Sequence, residues 1–302
     1  MLHTPAHGLF VGLITLDLLY LVTELPNRNQ KVVALDSLTA AGGPATNAAV
    51  AFKHLGNQAT LLGVMGCHAM TSCVVTDLQQ CGVTFVDLQP DRAEPLPTSS
   101  IIVTQATGDR AVVSLNASKS QAQADAIPGS ILTDLEHHSI QVVLIDGHQI
   151  EVGHTIAQRA RAAGIPIVID GGSWKPGFEQ VLPYADYVIC SANFHPPGCP
   201  TPDQVFHYLS KLQIPYIAIT QGDRPIQFLS QGESGFIPVP SVTPIDTLGA
   251  GDIFHGAFCH FIQYTSFKAA LTQAATIAAH SCQFFGTRQW MKEERIKEKD
   301  KG

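Results

Sequence analysis

The stretch PIDTLGAGDIFHGAF, residues 244–258, decides how the rest of the chain is read. Apolar residues Ile253, Phe254, Ala257, Phe258, Phe261 and Ile262 recur at helical spacing, so a loop of small residues feeds a helix. Gly249 and Gly251 carry no Cβ, and their backbone N–H groups can come close to a ligand. The first turn of a helix leaves N–H donors unpaired at the positive end of its dipole, which makes this loop an anion site. Asp252 stands among those donors. A carboxylate beside a bound phosphate is costly unless it handles a proton or a metal. A Gly-x-Gly-Asp taken alone also permits Asp252 to be a simple helix cap.

Outward from this string, short apolar runs alternate with helical patterns. Strands are expected at 59–66, 84–88, 141–145, 165–169, 186–190 and 215–219, and helices at 68–81, 152–163, 203–212 and 267–285. Such alternation implies an α/β chain with a mostly parallel sheet covered on both faces. The run 8–15 (GLFVGLIT) reads as the buried first strand with Asp17 at its end, where ligands of open α/β sheets collect. A plain turn also accounts for that Asp. In 41–49 (AGGPATNAA) the glycines allow close backbone approach, and Asn47 offers both a donor and an acceptor, as recognition of hydroxyls requires. Helix packing by small residues explains the alanines there but not the paired glycines. The β-prone pieces 31–35, 99–104 and 110–115, the last two joined around Gly108-Asp109, fall outside the βαβ rhythm and suggest a separate small sheet. Asp146-Gly147-His148 and DGGSWK (170–175) follow strands and are candidate site walls, although a turn rich in Asp and Gly needs no ligand.

A chain of 302 residues is long enough for one large α/β domain. Only 14% of it is charged, against about 25% usually, so a large buried interior is expected. The formal charge of −7 offers no basic footprint for nucleic acid. Seven cysteines form no Cys-x-x-Cys pair and read as reduced thiols of a cytoplasmic protein. The apolar stretch 8–22 is interrupted by Asp17, and no Lys or Arg precedes Arg28, so neither a signal peptide nor a membrane span is expected. The closing run KEERIKEKDKG reads as a solvated helix end or tail.

DTLGAGD with Phe254, Gly256, Ala257 and Phe258 resembles the C-terminal signature of the ribokinase-like sugar kinases, the phosphofructokinase B family. The segment 41–49 resembles that family's N-terminal signature, and Thr220-Gln221-Gly222 its nucleotide-phosphate loop. The motifs run in the family's order from Asp17 to Arg288. The resemblance implies a ribokinase-like three-layer α/β/α sandwich forming one domain over residues 1–302, with lid segments at about 18–38 and 98–116. It implies Asp252 as the base, with the amides of Gly249, Ala250 and Gly251 as the anion hole. Asp17, Gly42, Gly43 and Asn47 would hold the substrate, and Arg110 on the lid could reach an anionic group. Asn193, Thr220, Gly222, Gly251, Cys282 and Gly286 would border ATP, with Mg²⁺ as the accompanying ion and the lid as a possible homodimer contact. Two departures stand out. The family's Asn-x-x-Glu is Asn193-Phe194-His195-Pro196 here, and Pro225 replaces a second glycine of the phosphate loop, so the metal ligands stay unassigned.

The expected activity is ATP-dependent phosphorylation of a hydroxyl on a small carbohydrate or polyol. No Gly-x-x-x-x-Gly-Lys-Ser/Thr string occurs, so the amides at the helix start must serve in its place. A nucleoside kinase of the same fold and a catalytically silent sugar- or nucleotide-binding relative are the alternatives. A dehydrogenase is disfavoured because no Gly-x-Gly-x-x-Gly follows the first strand.

Overall fold

A computed structural model describes residues 4–115 and 120–292. The end of the expected lid segment at residue 116 and nearly all of the closing charged run lie outside the described residues. The chain begins with β1 (His7–Val11), β2 (Thr15–Val22), β3 (Asp36–Gly42), α1 (Pro44–His54), β4 (Gln58–Gly63), α2 (Thr71–Gln80) and β5 (Thr84–Asp87). A hairpin of β6 (Thr98–Thr104) and β7 (Arg110–Ser114) precedes α3 (Gly129–Glu136), β8 (Val142–Ile145), α4 (Ile150–Ala162), β9 (Ile167–Gly171) and α5 (Phe178–Val181). Then come β10 (Tyr187–Ser191), α6 (Pro202–Lys211), β11 (Tyr216–Gln221), β12 (Arg224–Ser230), β13 (Glu233–Ile237), α7 (Ala250–Phe261) and α8 (Phe267–Ser281).

Nine strands form one sheet in the order β13-β12-β11-β10-β9-β8-β1-β4-β5, parallel throughout except for the antiparallel β11, β12 and β13 edge. Successive residues of a strand face opposite sides of a sheet, and here both sides are buried. Phe10, Val142 and Leu144 join a cluster with the inner faces of α1, α2, α7 and α8. Their neighbours Leu9, Val11, Val143 and Ile145 join a second cluster with α3, α4, α5 and α6. The three layers expected from the alternating pattern are therefore present. Four further strands form a separate sheet in the order β3-β2-β6-β7, whose inner residues Leu19, Leu21, Ile101 and Val103 pack on Phe285.

The first segment differs from its sequence reading. The run 8–15 is not one strand, because the chain leaves the large sheet at Gly12 and resumes as β2 of the small one. Asp146 forces the break: its Oδ2 accepts the N–H of Leu13 (2.9 Å) and of Ala45 (3.1 Å), and a Cβ at Gly12 would land on its carboxylate. Burial alone would raise this carboxyl, but His148, Lys175 and the Leu13 N–H prevail and hold it down at about 2. Asp17 consequently sits within a strand, opposite Ala40 and Ser99, rather than at a strand end. The small sheet is also bounded differently from the expected lid: 31–35 forms no strand, and β3 begins at Asp36 and carries Gly42 itself.

The position of α7 is set by small residues. A Cβ at Gly256 would collide with the carbonyl oxygen of Ala48 and would stand 2.8 Å from Ala51 Cβ, so α1 and α7 touch backbone to backbone. That contact accounts for the alanines of α1, which are fully buried. Gly256→Val should destabilise the protein by about 1–3 kcal/mol through overpacking, read as a lowered midpoint in urea, even though valine is a better helix former than glycine. An unchanged midpoint would show that the two helices can separate without cost.

Candidate active site

Gly249 occupies the left-handed region (φ 70°) as the residue preceding α7, and a Cβ there would meet Thr287 Cγ2 at 2.7 Å. Asp246 holds the loop in place: Oδ1 accepts the N–H of Leu248 and Oδ2 that of Gly286, each at 2.9 Å. The Ala250 N–H is occupied by Thr247 O at 3.3 Å. Those of Gly251 and Asp252 find no backbone acceptor among the described residues, so they are the free donors at the positive end of α7. Nothing lies within 4 Å of the place a Gly251 Cβ would take.

Asp252 is half-buried in the first turn of α7, and its Oδ2 accepts the Asn47 Nδ2 hydrogen bond at 2.8 Å. Its carboxyl is pushed up to about 7, first by burial and then by the nearby Asp170. Asn47 and His255 act in the opposite sense, and Asp146 adds a weaker upward push. His255 lies beneath the loop with Nδ1 2.7 Å from Gly251 O, Nε2 3.2 Å from Ile189 O, and Nδ1 3.5 Å from Asp170 Oδ2.

Asp17 is buried beside the paired glycines, its Oδ1 accepting from Thr15 Oγ1 at 2.8 Å, and burial raises its carboxyl. A Cβ on Gly42 would fall on the Asp17 carboxylate, and one on Gly43, whose φ is 101°, on the carbonyl of Leu13. Both glycines are thus demanded by the protein's own packing. Asn47 also has protein partners at both ends of its amide: Oδ1 accepts from Arg288 Nη1 at 3.0 Å and Nδ2 donates to Asp252, which leaves one further hydrogen-bonding position at each end.

A cavity of about 760 Å³ opens on the other side of the α7 start. It brings together Arg110 of the small sheet, Thr220 of β11, Gly251 of α7, Cys282 in the turn after α8, and the loop residues Asn193 and Gly222. Arg110 Nη1 donates to Thr247 Oγ1 at 2.6 Å, which places this arginine on the cavity side of the loop. Asp17, Gly42, Gly43 and Asn47 do not line it, and neither does Gly286, whose Cβ would press on Leu38 of the small sheet. Lys175 stays outside as well, bonded to Ser173 O at 3.3 Å and lying over the Phe178 ring. The loop residue His195 faces Cys199 O at 3.3 Å.

Sequence reading missed the apolar shelf of this cavity, formed by Ile226, Val239, Val242, Phe254, Ala275 and Ala279, because its members are scattered and individually look like core. Arg224 stands on the rim of the same cavity, and sequence reading missed the role of Arg288. Among the described residues no three His, Cys, Asp or Glu side chains converge as a metal site.

Residues 7–294 match the family described as pfkB family carbohydrate kinase. The chain is 25% identical over 284 residues to a ribokinase of Bacillus subtilis, covering 93% of this chain and 94% of that one. It is 23% identical over 296 residues to a deoxyribokinase of Salmonella typhimurium, covering 92% of each. Its fold is similar to that of a putative ribokinase from Agrobacterium tumefaciens (TM-score 0.83, 24% identity, 99% and 100% of the two chains). It is also similar to Arabidopsis thaliana ribokinase complexed with ribose and ATP (TM-score 0.74, 20% identity, 96% and 99% of the two chains).

The two glycines of the loop should respond differently to substitution. Gly251→Val should keep the thermal midpoint within about 2 °C and weaken ATP binding in calorimetry by at least about tenfold, since its side chain enters the cavity. Gly249→Ala should instead lose about 1–2 kcal/mol of stability, because alanine at positive φ is strained and its methyl meets Thr287. Equal ATP affinity in Gly251→Val and the unaltered protein would place the nucleotide elsewhere.

Proposed function

The chain belongs to the pfkB family of carbohydrate kinases, and as its activity we propose transfer of the γ-phosphoryl group of ATP to a hydroxyl of a small sugar or polyol, with Asp252 as the base. The observation that carries this reading is the placement of Asp252 between two differently built halves. On one side stand the buried Asp17 and the paired glycines, and on the other the cavity with the free Gly251 amide, two arginines and an apolar shelf. The shelf suits a purine, and the amides of Gly251 and Asp252 suit the phosphoryl group in transit. Arg110 and Arg224 supply positive charge to a chain that is otherwise acidic.

The chemistry follows from charge and position. As the acceptor oxygen attacks phosphorus, its proton passes to the Asp252 carboxylate, whose raised affinity for a proton makes it a better base than an exposed Asp. The negative charge on the transferring group meets the positive end of α7. Closure of the small sheet over the site would exclude water that could otherwise compete as acceptor. Among the described residues no metal-binding cluster of side chains converges, and a Mg²⁺ would arrive on the triphosphate and keep part of its water shell. Asn193 on the cavity rim would hold that shell, and the ion would neutralise phosphate oxygens.

The names of the relatives make a pentose the first acceptor to test, ahead of nucleosides. Pro196, where the family has an acidic residue, supports a second reading as a silent binding protein. Binding of ATP and sugar with no sugar-dependent ADP release across a panel of pentoses, hexoses and nucleosides would favour that second reading. The exposed Val112, Val113 and Leu115 on and beside β7 support pairing of two copies through the small sheet. Light scattering that finds a dimer in the unaltered chain and a monomer in Val113→Lys would bear this out.

Asp252→Asn should lower kcat by about 10²–10⁴ while ATP still binds. In the unaltered enzyme kcat/KM for the sugar should rise with pH through about 7, because below that point the carboxyl already holds a proton and cannot accept another. Near-normal turnover by Asp252→Asn removes this residue from the mechanism.

A further inference from the structure

We propose that Arg288, in the turn after α8, is a positioning residue that sets the orientation of the Asn47 amide and, through it, of the Asp252 carboxylate. The proposal rests on the reading of Asp252 as the base. Arg288 is only 6% exposed, and its hydrogen bonds reach three separate parts of the chain. Nη2 donates to Ala41 O at 2.7 Å and to Asp77 Oδ2 at 3.0 Å, and Nε reaches the same carboxylate oxygen at 3.3 Å. Nη1 donates to Asn47 Oδ1 and to Thr287 Oγ1, each at 3.0 Å. Asp77 Oδ2 also accepts the Ala41 N–H at 2.9 Å, so the end of β3, α2 and the C-terminal turn are clamped around one guanidinium.

A guanidinium carries donors and no acceptor, whereas a primary amide carries both. Facing Arg288, Asn47 must therefore present its carbonyl oxygen. The amide nitrogen then has one direction left, toward Asp252 Oδ2 at 2.8 Å. Turning the amide over would set N–H₂ against N–H and carbonyl against carboxylate, losing two hydrogen bonds and creating two repulsions. With an uncharged residue at 288 that penalty is halved, and the donor to Asp252 is no longer guaranteed. Arg288 thus controls the base without touching it.

The charges around Asp252 show what is at stake. Asp170 at the end of β9 and Asp146 after β8 disfavour its ionised form, as does burial, while His255 on its own helix and the Asn47 amide favour it. Loss of the amide donor leaves His255 alone in opposition. The same guanidinium also favours ionised Asp17 on the acceptor side. Arg288 does not line the nucleotide cavity, so its effect should fall on the sugar and on the base, not on ATP.

The test compares full-length Arg288→Met and Arg288→Lys with the unaltered chain, using kcat/KM for the sugar between about pH 5.5 and 9, KM for ATP, and the thermal midpoint. Arg288→Met should lose about 30-fold or more in kcat/KM at neutral pH and shift the acid limb of the profile upward, with KM for ATP within about twofold. Arg288→Lys keeps a charge against Asp77 and should fall between the two; it decides the matter where Arg288→Met does not fold. In an Asn47→Ala background, Arg288→Met should cost less than about threefold more, since the amide it orients is gone. A folded variant with an unmoved acid limb, or losses that simply multiply in the double variant, would reduce Arg288 to a stability role and overturn the proposal. Asp252→Asn keeps the two ideas apart: normal turnover there defeats the base reading. An inactive Asp252→Asn beside unaffected Arg288 variants defeats this proposal alone.

Discussion

One hydrogen bond, from Asn47 to Asp252, spans 205 residues of sequence and joins the start of α1 to the start of α7. It can form only because the two helices lie backbone to backbone, with Gly256 against the carbonyl of Ala48. The alanines of α1, the glycine in α7 and the breadth of the large sheet beneath them all serve that approach. A methyl group inserted between the helices would move the two side chains apart by more than the tolerance of a 2.8 Å contact.

From that contact the site divides naturally. Toward the small sheet the backbone is closely packed, so that a Cβ on Gly42 would meet the Asp17 carboxylate and one on Gly43 the carbonyl of Leu13. Toward α8 the surroundings are open, and the cavity combines an apolar shelf with amides and arginines. A carboxylate between a closely packed polar half and a roomy half suits the proposed transfer between a small hydroxylated acceptor and a large nucleotide. The raised proton affinity of Asp252 follows from the same arrangement, since burial and neighbouring carboxylates act on it together.

Much of this was legible because it depends on short-range pattern. Apolar alternation placed most strands and helices of the large sheet within a few residues, and the small residues before Asp252 marked a helix start with free amides. The family resemblance groups Thr220, Gly222, Asn193 and Cys282, and these four line one cavity. The reading failed where a distant side chain intervened. The break at Gly12 is enforced by Asp146, and Gly286 lies off the cavity, its N–H bonded to Asp246 and the place of a Cβ filled by Leu38. Nothing in the residues adjacent to these glycines announces either event.

By itself the amino-acid sequence determined the layered α/β class, the loop-to-helix junction at Asp252 and the family to which the chain belongs, because hydrophobic period and contiguous small residues are local properties. The tertiary structure alone decided what Asn47 does, since its two partners lie 205 and 241 residues away. It also decided which amides stay free, and that the guanidinium of Arg288 stands behind the Asn47–Asp252 pair. These are pairings between charged and polar groups brought together by packing, and such pairings leave no period, spacing or composition for a sequence to display.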